Sequence, residues 1–394
     1  MGARRDLYRN TARESRTFTI VVTVLVVLAA IPIVLLVVLS GTGHGDRAPS
    51  SPTAPLLGVI FAAIPVVPLL LCYLWLDRYE PEPRHLLALG LAWGAFVACA
   101  VAVLLEGVGG WVTGWSDKLQ LGVLAPFTEE ACKGIFLLML LIWRRAELDG
   151  ILDGIVYAGM VGIGFAFTEN IFYLAAAYNG TSGVSPDGST LNGTEALTGT
   201  FVARCLFSPF AHPFFTAFTG VGIGIAVGTR YASVRVLAPL VGYLCAGLAH
   251  MVWNGSTIFG PGGFLITYVV LMLPAFVGMV LLAVWARRSE RTMLAVSLGD
   301  AARRGLIPST DIGWVVDLSA RRIARRFAAT FGGPRGEAAM REYQQAAIEL
   351  GFLHSRYLRG TPPPDFAERG RAYVARIGAV RPKIAFPGQV VPTR

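Results

Sequence analysis

Apolar runs of about twenty residues recur along most of this chain, and they constrain its fold more than any other feature. Each is long enough to cross roughly 30 Å of hydrocarbon as a helix. Eight can be read, at about 18–40, 56–77, 86–108, 121–143, 152–178, 200–228, 235–258 and 263–286. With 54% hydrophobic residues, only 15% charged ones and a mean hydropathy of +0.58, the chain is excluded from the ordinary soluble class. The fold class expected is all-α: a polytopic membrane protein of about eight transmembrane helices with a small basic helical C-terminal region. The first run follows Arg4, Arg5, Arg9, Arg13 and Arg16; it is too long for a signal-peptide core and reads as a retained anchor. Cys72, Cys99, Cys132, Cys205 and Cys245 all fall within runs and form no CxxC pair, which suits core packing.

Charge sets the expected orientation. Basic residues gather in the N-terminal tail, at Arg78 and Arg84, at Arg144 and Arg145, at Arg230 and Arg235, and after Arg287. The alternate loops, near 41–55, 109–120, 179–199 and 260–263, are nearly free of them. By the positive-inside rule both termini are cytoplasmic, in a multi-pass protein of the inner membrane. Orientation thus accounts for the net charge of +9, and no nucleic-acid partner is implied. Three regions follow: a polar, mobile cytoplasmic tail at 1–17, a transmembrane domain at 18–286, and a basic cytoplasmic region at 287–394. The last holds 19 basic and 9 acidic residues and faces the lipid bilayer. Helical spacing is expected there over about 290–330 and 336–358, with apolar positions at Leu294, Val315, Leu318, Ile323, Phe327, Tyr343, Ile348, Leu350 and Phe352, then a Pro-rich tail from Thr361. The stretch "ARRIARRFAATF" fits a basic amphipathic helix on the membrane surface and fits a solvated bundle equally well.

Four of the runs carry ionisable groups, although a charge at the bilayer centre costs about 2.5–3.5 kcal/mol. They are "PFTEEACKGIFLL" with Glu129, Glu130 and Lys133; "GFAFTEN" with Glu169 and Asn170; Arg204 with "HPFFT", holding His212 and Thr216; and "HMVWN", holding His250 and Asn254. Successive spans alternate in direction. Even so, Glu129, Glu169, His212 and His250 all fall roughly eight to twelve residues from the outer ends, a single layer in the outer half of the bilayer. Glu129 with Lys133, His212 with Thr216, and His250 with Asn254 are i,i+4 pairs, each on one helix face. Such groups face a bundle interior or a water-filled cavity, so four faces at one depth describe a polar chamber.

Two histidines and a carboxylate from separate helices make a zinc-type set, Glu169, His212 and His250, with a position open for water. Glu129 and Glu130 suit the role of general base, and Lys133 offers one of them a counter-charge. Asn254 and a histidine can donate hydrogen bonds to a tetrahedral oxyanion. A metal-free scheme, with a glutamate activating water alone, is open too; either hydrolyses a peptide bond. Structural readings stand beside these: an ion-pair knot for Glu129, Glu130 and Lys133, a cap on a helix break for Glu169 and Asn170, and satisfied core histidines. Arg204 reads as charge-balancing and Glu106 as interfacial. "LDGILDG" lacks an HExxH and is not taken as a metal motif.

In order and placement, "EEACK", "FAFTEN", "HPFFT" and "HMVWN", together with "DRYEPEP", resemble the PrsW family of intramembrane proteases over about residues 55–285. That family is similar in turn to the CAAX prenyl endopeptidase and abortive-infection group, whose second motif carries histidine where this chain has Glu169. The resemblance implies an intramembrane endopeptidase with Glu129, Glu130, Glu169, His212, His250 and Asn254 as site residues. It also implies membrane-anchored protein substrates, anti-sigma-factor-like regulators among them. A proton- or cation-coupled transporter would use the same cluster but needs repeated halves with matching broken helices, and none is visible. A non-catalytic scaffold is the remaining class.

Overall fold

The computed structural model describes residues 2–41, 51–180 and 192–388, so much of the expected loops at 41–55 and 179–199 lies outside the described residues. The described residues contain no strand. Seven helices among them are long and apolar enough to cross a membrane. We number the helices α1 (Gly2–Leu39), α2 (Ala54–Leu76), α3 (Arg84–Thr113), α4 (Ala125–Trp143), α5 (Ile151–Tyr178), α6 (Gly193–Gly228), α7 (Ala232–Ile258) and α8 (Gly260–Arg303). All but α4 meet the length and apolarity requirement. Helix α4 occupies the expected fourth run but holds Glu129, Glu130 and Lys133, which lower its apolarity. The expected boundaries hold to within a few residues, with three differences. Helix α1 extends back to Gly2 where a mobile tail was expected. Helix α6 starts at Gly193, and α8 continues to Arg303.

By contact the chain divides into two units, Met1–Trp75 with Glu82–Val227 and Ala232–Leu281, and Leu76–Pro81 with Gly228–Tyr231 and Leu282–Arg394. In the first, α5 and α6 are central: 83% and 78% of their apolar stretches are buried, against 11% for α1. Without a hydrophobic drive between helices in lipid, close packing relies on small residues. Gly162 of α5 is the case nearest the histidine of α6, since a Cβ there would lie 2.6 Å from the backbone of Pro213. Helix α6 is interrupted at 208–210, after a widened π-type turn at Val202–Phe207, and resumes at Ala211. Pro213 sits in that first resumed turn, where its missing N–H costs no hydrogen bond. The Asn179 side chain accepts from Ser51 N at 2.9 Å and donates to Ser40 O at 3.0 Å, placing the α1–α2 turn and the end of α5 on one side. All five cysteines are free. Cys99, Cys132 and Cys205 are buried, but Cys72 and Cys245 lie on exposed faces, against the expectation of core packing for all.

The second unit has its own core, built from Leu294, Leu298, Val315, Met340, Tyr343, Phe352 and Phe386, among others. Its longer helices are the end of α8, then α9 (Leu318–Leu358) and α10 (Phe366–Val380). Helix α9 kinks at Gly333, whose φ of +58° favours glycine, followed by Pro334; this is the break expected near 330–336. The expected Pro-rich tail from Thr361 instead carries α10, which buries Ile377, and ends with Phe386 fully buried against Tyr343. Pro362, Pro363 and Pro364 precede α10 and Pro382 and Pro387 follow it, so the prolines bound the helix without interrupting it.

Candidate active site

Four helices of the first unit deliver their ionisable side chains to one buried cluster. Lys133 of α4 is its hub. Its Nζ donates to Glu130 Oε1 at 2.8 Å and to Glu129 Oε2 at 3.2 Å, and lies 3.0 Å from His212 Nδ1. It also lies 3.7 Å from the centre of the Phe165 ring, on α5, a cation–π contact in a desolvated place. Neither Lys133 nor Glu130 has any solvent exposure. Glu130 is held through its other oxygen by Thr216 Oγ1, which donates to Oε2 at 2.9 Å.

The two histidines each have a carboxylate behind them. His212 Nε2 lies 2.6 Å from Glu169 Oε2. With Lys133 donating to Nδ1, the imidazole proton belongs on Nε2, where it meets that carboxylate. This leaves the Nδ1 lone pair facing the hub. His250 Nδ1 lies 3.3 Å from Glu130 Oε1, without the alignment of a hydrogen bond, and Nε2 lies 3.9 Å from Glu129 Oε2. Phe215 stacks on His250 at 4.6 Å, and the two imidazole rings stand perpendicular with centres 5.2 Å apart. The site lies nine residues from the Tyr178 end of α5 and eighteen from its Ile151 end, counted at Glu169.

Arg204, read from sequence as charge-balancing, does more than balance charge. It grips one turn of α5 in three ways: an ion pair with Glu169 Oε2, a hydrogen bond from Nε to Asn170 Oδ1 at 2.8 Å, and a guanidinium 3.9 Å from the centre of the Tyr173 ring. The sequence signal was present, an arginine inside an apolar run, but its partner could not be chosen without α5 and α6 side by side. The packing of α5 on α6 also bears on which carboxylate stands with the histidines. The structure groups Glu129, and not Glu169, with His212 and His250, because Glu169 is tied to Arg204 and to the outward nitrogen of His212. Asn254 is not drawn into the cluster: its Nδ2 donates to Leu121 O at 3.1 Å. Glu106, expected to be interfacial, is partly buried and accepts from Thr128 Oγ1 at 3.3 Å, next to Glu129.

Glu129, His212 and His250 each offer one ligand-type atom, and these atoms lie within 4.8 Å of one another. A carboxylate and two imidazoles suit a zinc-type ion with a position left for water. Charge agrees. Counted as ionised, Glu129, Glu130 and Glu169 face only Lys133 and Arg204, leaving one negative charge for a further cation. Lys133 stands beside two of the three donors, yet its nearest acceptor, Glu130 Oε1, lies outside the triad, so the ammonium keeps a partner when the triad holds a metal. These residues therefore fit the group.

A family model described as PrsW family intramembrane metalloprotease matches residues 82–279. The protein named Protease PrsW of Oceanobacillus iheyensis is 26% identical over 206 residues, 52% of this chain and 86% of that one. The Bacillus subtilis protein of that name is 34% identical over 125 residues, 30% of this chain and 55% of that one. The Geobacillus kaustophilus one is 28% identical over 158 residues, 40% and 61% of the two chains. No solved structure matches. Nothing in these matches points to transport. With the family model covering half of its length and the cluster assembled inside that match, this chain belongs to the PrsW family of intramembrane metalloproteases.

Proposed function

We propose that Glu129, His212 and His250 hold a zinc ion and that Glu130 is the general base in the hydrolysis of membrane-anchored proteins. The site would lie in the outer half of the cytoplasmic membrane, with both termini inside. Single-span regulators of the anti-sigma-factor kind are the proposed substrates. The observation that carries this reading is the convergence of the three donor atoms around a fully buried Lys133. Zinc in such a site activates water and polarises a carbonyl.

Glu130 Oε1 accepts a proton from water as the water oxygen bonds to the scissile carbonyl carbon. The proton passes to the departing nitrogen as the C–N bond breaks, which restores the carboxylate. Lys133, 2.8 Å from that oxygen, offsets the cost of its charge, and Thr216 fixes the other oxygen. Glu169, clamped by Arg204, holds the His212 ring so that Nδ1 faces the hub. Asn254 donates to the oxyanion once substrate displaces its bond to Leu121.

The test is reconstitution of the wild type and Glu130→Gln with labelled single-span substrates, reading fragments and bound zinc. The expected result is a cleavage rate lower by about 10²–10⁴-fold in the variant, with zinc retained. Equal cleavage by both proteins would remove Glu130 from the chemistry. Full cleavage by a wild type stripped of metal would remove zinc.

A further inference from the structure

Residues 282–394 lie beyond the family match, and α9 among them carries a feature that the proposed cleavage does not use. Between Leu318 and Gly336 there are five arginines and no acidic residue. Two of the five are engaged inside the unit. Arg321 Nη1 donates to Tyr79 O at 2.9 Å, and Arg325 Nε donates to Gln344 Oε1 at 2.6 Å. Ala324 and Ala328, on the same side as Arg321, join the core. Between Leu318 and Gly333, the opposite face of the helix points away from that core. Ile323 is 54% and Phe331 56% exposed; Phe327, half-buried between them, has its ring 4.6 Å from that of Phe331. Residues 323, 327 and 331 follow i,i+4 spacing and so form one stripe. Arg322 and Arg326 lie beside it, both exposed, and Arg335 follows beyond the kink.

A stripe of two aromatic rings and an isoleucine, bordered by guanidinium groups with no ion-pair partner among the described residues, is uneconomical against water. It suits a boundary where rings enter acyl chains while arginines reach phosphates. A stretch of helix with arginines and no acidic residue favours a negatively charged occupant. The chain keeps such a surface close, because only residues 304–317 separate α9 from α8, a candidate membrane span. Fourteen residues reach at most about 50 Å even when fully extended, which keeps the stripe at a high effective concentration near the bilayer. We propose that the Ile323–Phe327–Phe331 face of α9 is a docking surface for anionic lipid headgroups.

The test uses full-length protein in nanodiscs, with the exposed Cys72 and Cys245 changed to serine and a reporter thiol placed by Ile323→Cys. Phe331→Cys is the second reporter should the first misfold. Ala338→Cys, on an exposed part of α9 outside the stripe, is the control. Labelling by a water-soluble maleimide is expected to be about 10-fold slower in phosphatidylglycerol discs than in phosphatidylcholine discs at both stripe positions, with the control unchanged. Arg322→Gln combined with Arg326→Gln should restore the faster rate, as should high salt. Equal rates in the two lipids would overturn the proposal. Protection that appears in detergent and grows with protein concentration would overturn it as well, by assigning the stripe to a second copy of the chain.

Discussion

Two buried ionic clusters, one in each unit, look alike in composition and differ in completeness. In the C-terminal unit Asp311 has no exposure and is fully met. Arg381 approaches it with Nε at 2.5 Å from Oδ2 and Nη2 at 3.1 Å from Oδ1, and Tyr343 donates its hydroxyl to Oδ2 at 2.6 Å. Burial first, and then that hydrogen bond to Asp311, hold the Tyr343 hydroxyl well above the usual phenol range. Thr310 Oγ1 adds a bond to Oδ1 at 3.2 Å, so one carboxylate meets one guanidinium and two hydroxyl donors. In the membrane unit three carboxylates face two cations, and one histidine nitrogen is placed but unaligned. A satisfied cluster suits a structural role, whereas one with more carboxylates than cations is a candidate functional site.

The contrast is tested most strongly by cutting the same type of group from each cluster. Glu129→Gln removes a proposed metal donor, and cleavage should fall by about 10²–10⁴-fold with zinc content falling in parallel. Thermal unfolding of the membrane unit should change little, since Lys133 keeps Glu130 as a partner. Loss of folding without specific loss of zinc would mean that both clusters are structural. Asp311→Asn should do the reverse. Stripping a buried partner from Arg381 costs about 3 kcal/mol, the low end of the usual range because Arg381 is about a quarter exposed. Pulse proteolysis in urea should show the C-terminal unit opening earlier, while kcat on a membrane substrate stays within about twofold.

Packing beneath the site provides the next test. Gly162→Val places carbon where the Pro213 backbone now lies, and Pro213 follows His212 directly. A shift of His212 by about 1 Å is enough to lower cleavage about 10²-fold. Zinc affinity should weaken too, while Gly299→Val, in the other unit with open space around it, should leave both readouts alone. Unchanged cleavage by Gly162→Val would show that the α5–α6 contact does not govern the histidine.

What could be read without coordinates follows from which interactions are local. The spans and the shared depth of Glu129, Glu169, His212 and His250 were legible because a helix advances a fixed distance per residue, so depth is countable along each run. Lys133 with Glu129, being i,i+4, was legible for the same reason. The grouping of Glu129 with the two histidines was not, because it depends on Arg204, 35 residues from Glu169 in sequence and beside it only after α6 packs on α5. The bond from Asn254 to Leu121 O was not legible either, since Leu121 belongs to another segment. Helix α10 was hidden by the prolines before it, and its burial of Ile377 is set by the rest of the C-terminal core. Ile323 carried the apolar pattern but ended on the exposed side, because Arg321 and the two alanines took the inner face.

The smallest test asks whether the C-terminal unit behaves as an ordinary soluble fold with respect to acid. Asp317 caps α9, its Oδ1 accepting from Ser319 N at 2.9 Å and Ala320 N at 3.0 Å, and its Oδ2 lies 3.0 Å from Arg291 Nη2. The Ser319 hydroxyl, and after it the Ala320 N–H, hold the Asp317 carboxyl below its usual value. A carboxylate depressed by folding adds stability above its unfolded pKa of about 3.9, and that stability is lost as pH falls through the lower folded value. The wild-type unit should therefore lose about 1 kcal/mol from this cap only below about pH 4, and Asp317→Ala should lose the same amount at neutral pH with no further change on acidification. Asp317→Asn keeps an acceptor oxygen for the helix N–H groups, so it should sit near wild type at pH 7 and lack the acid-dependent loss. Denaturation of the C-terminal unit at pH 7 and pH 3 measures all three. An acid dependence in Asp317→Asn equal to that of wild type would transfer the effect to another carboxylate.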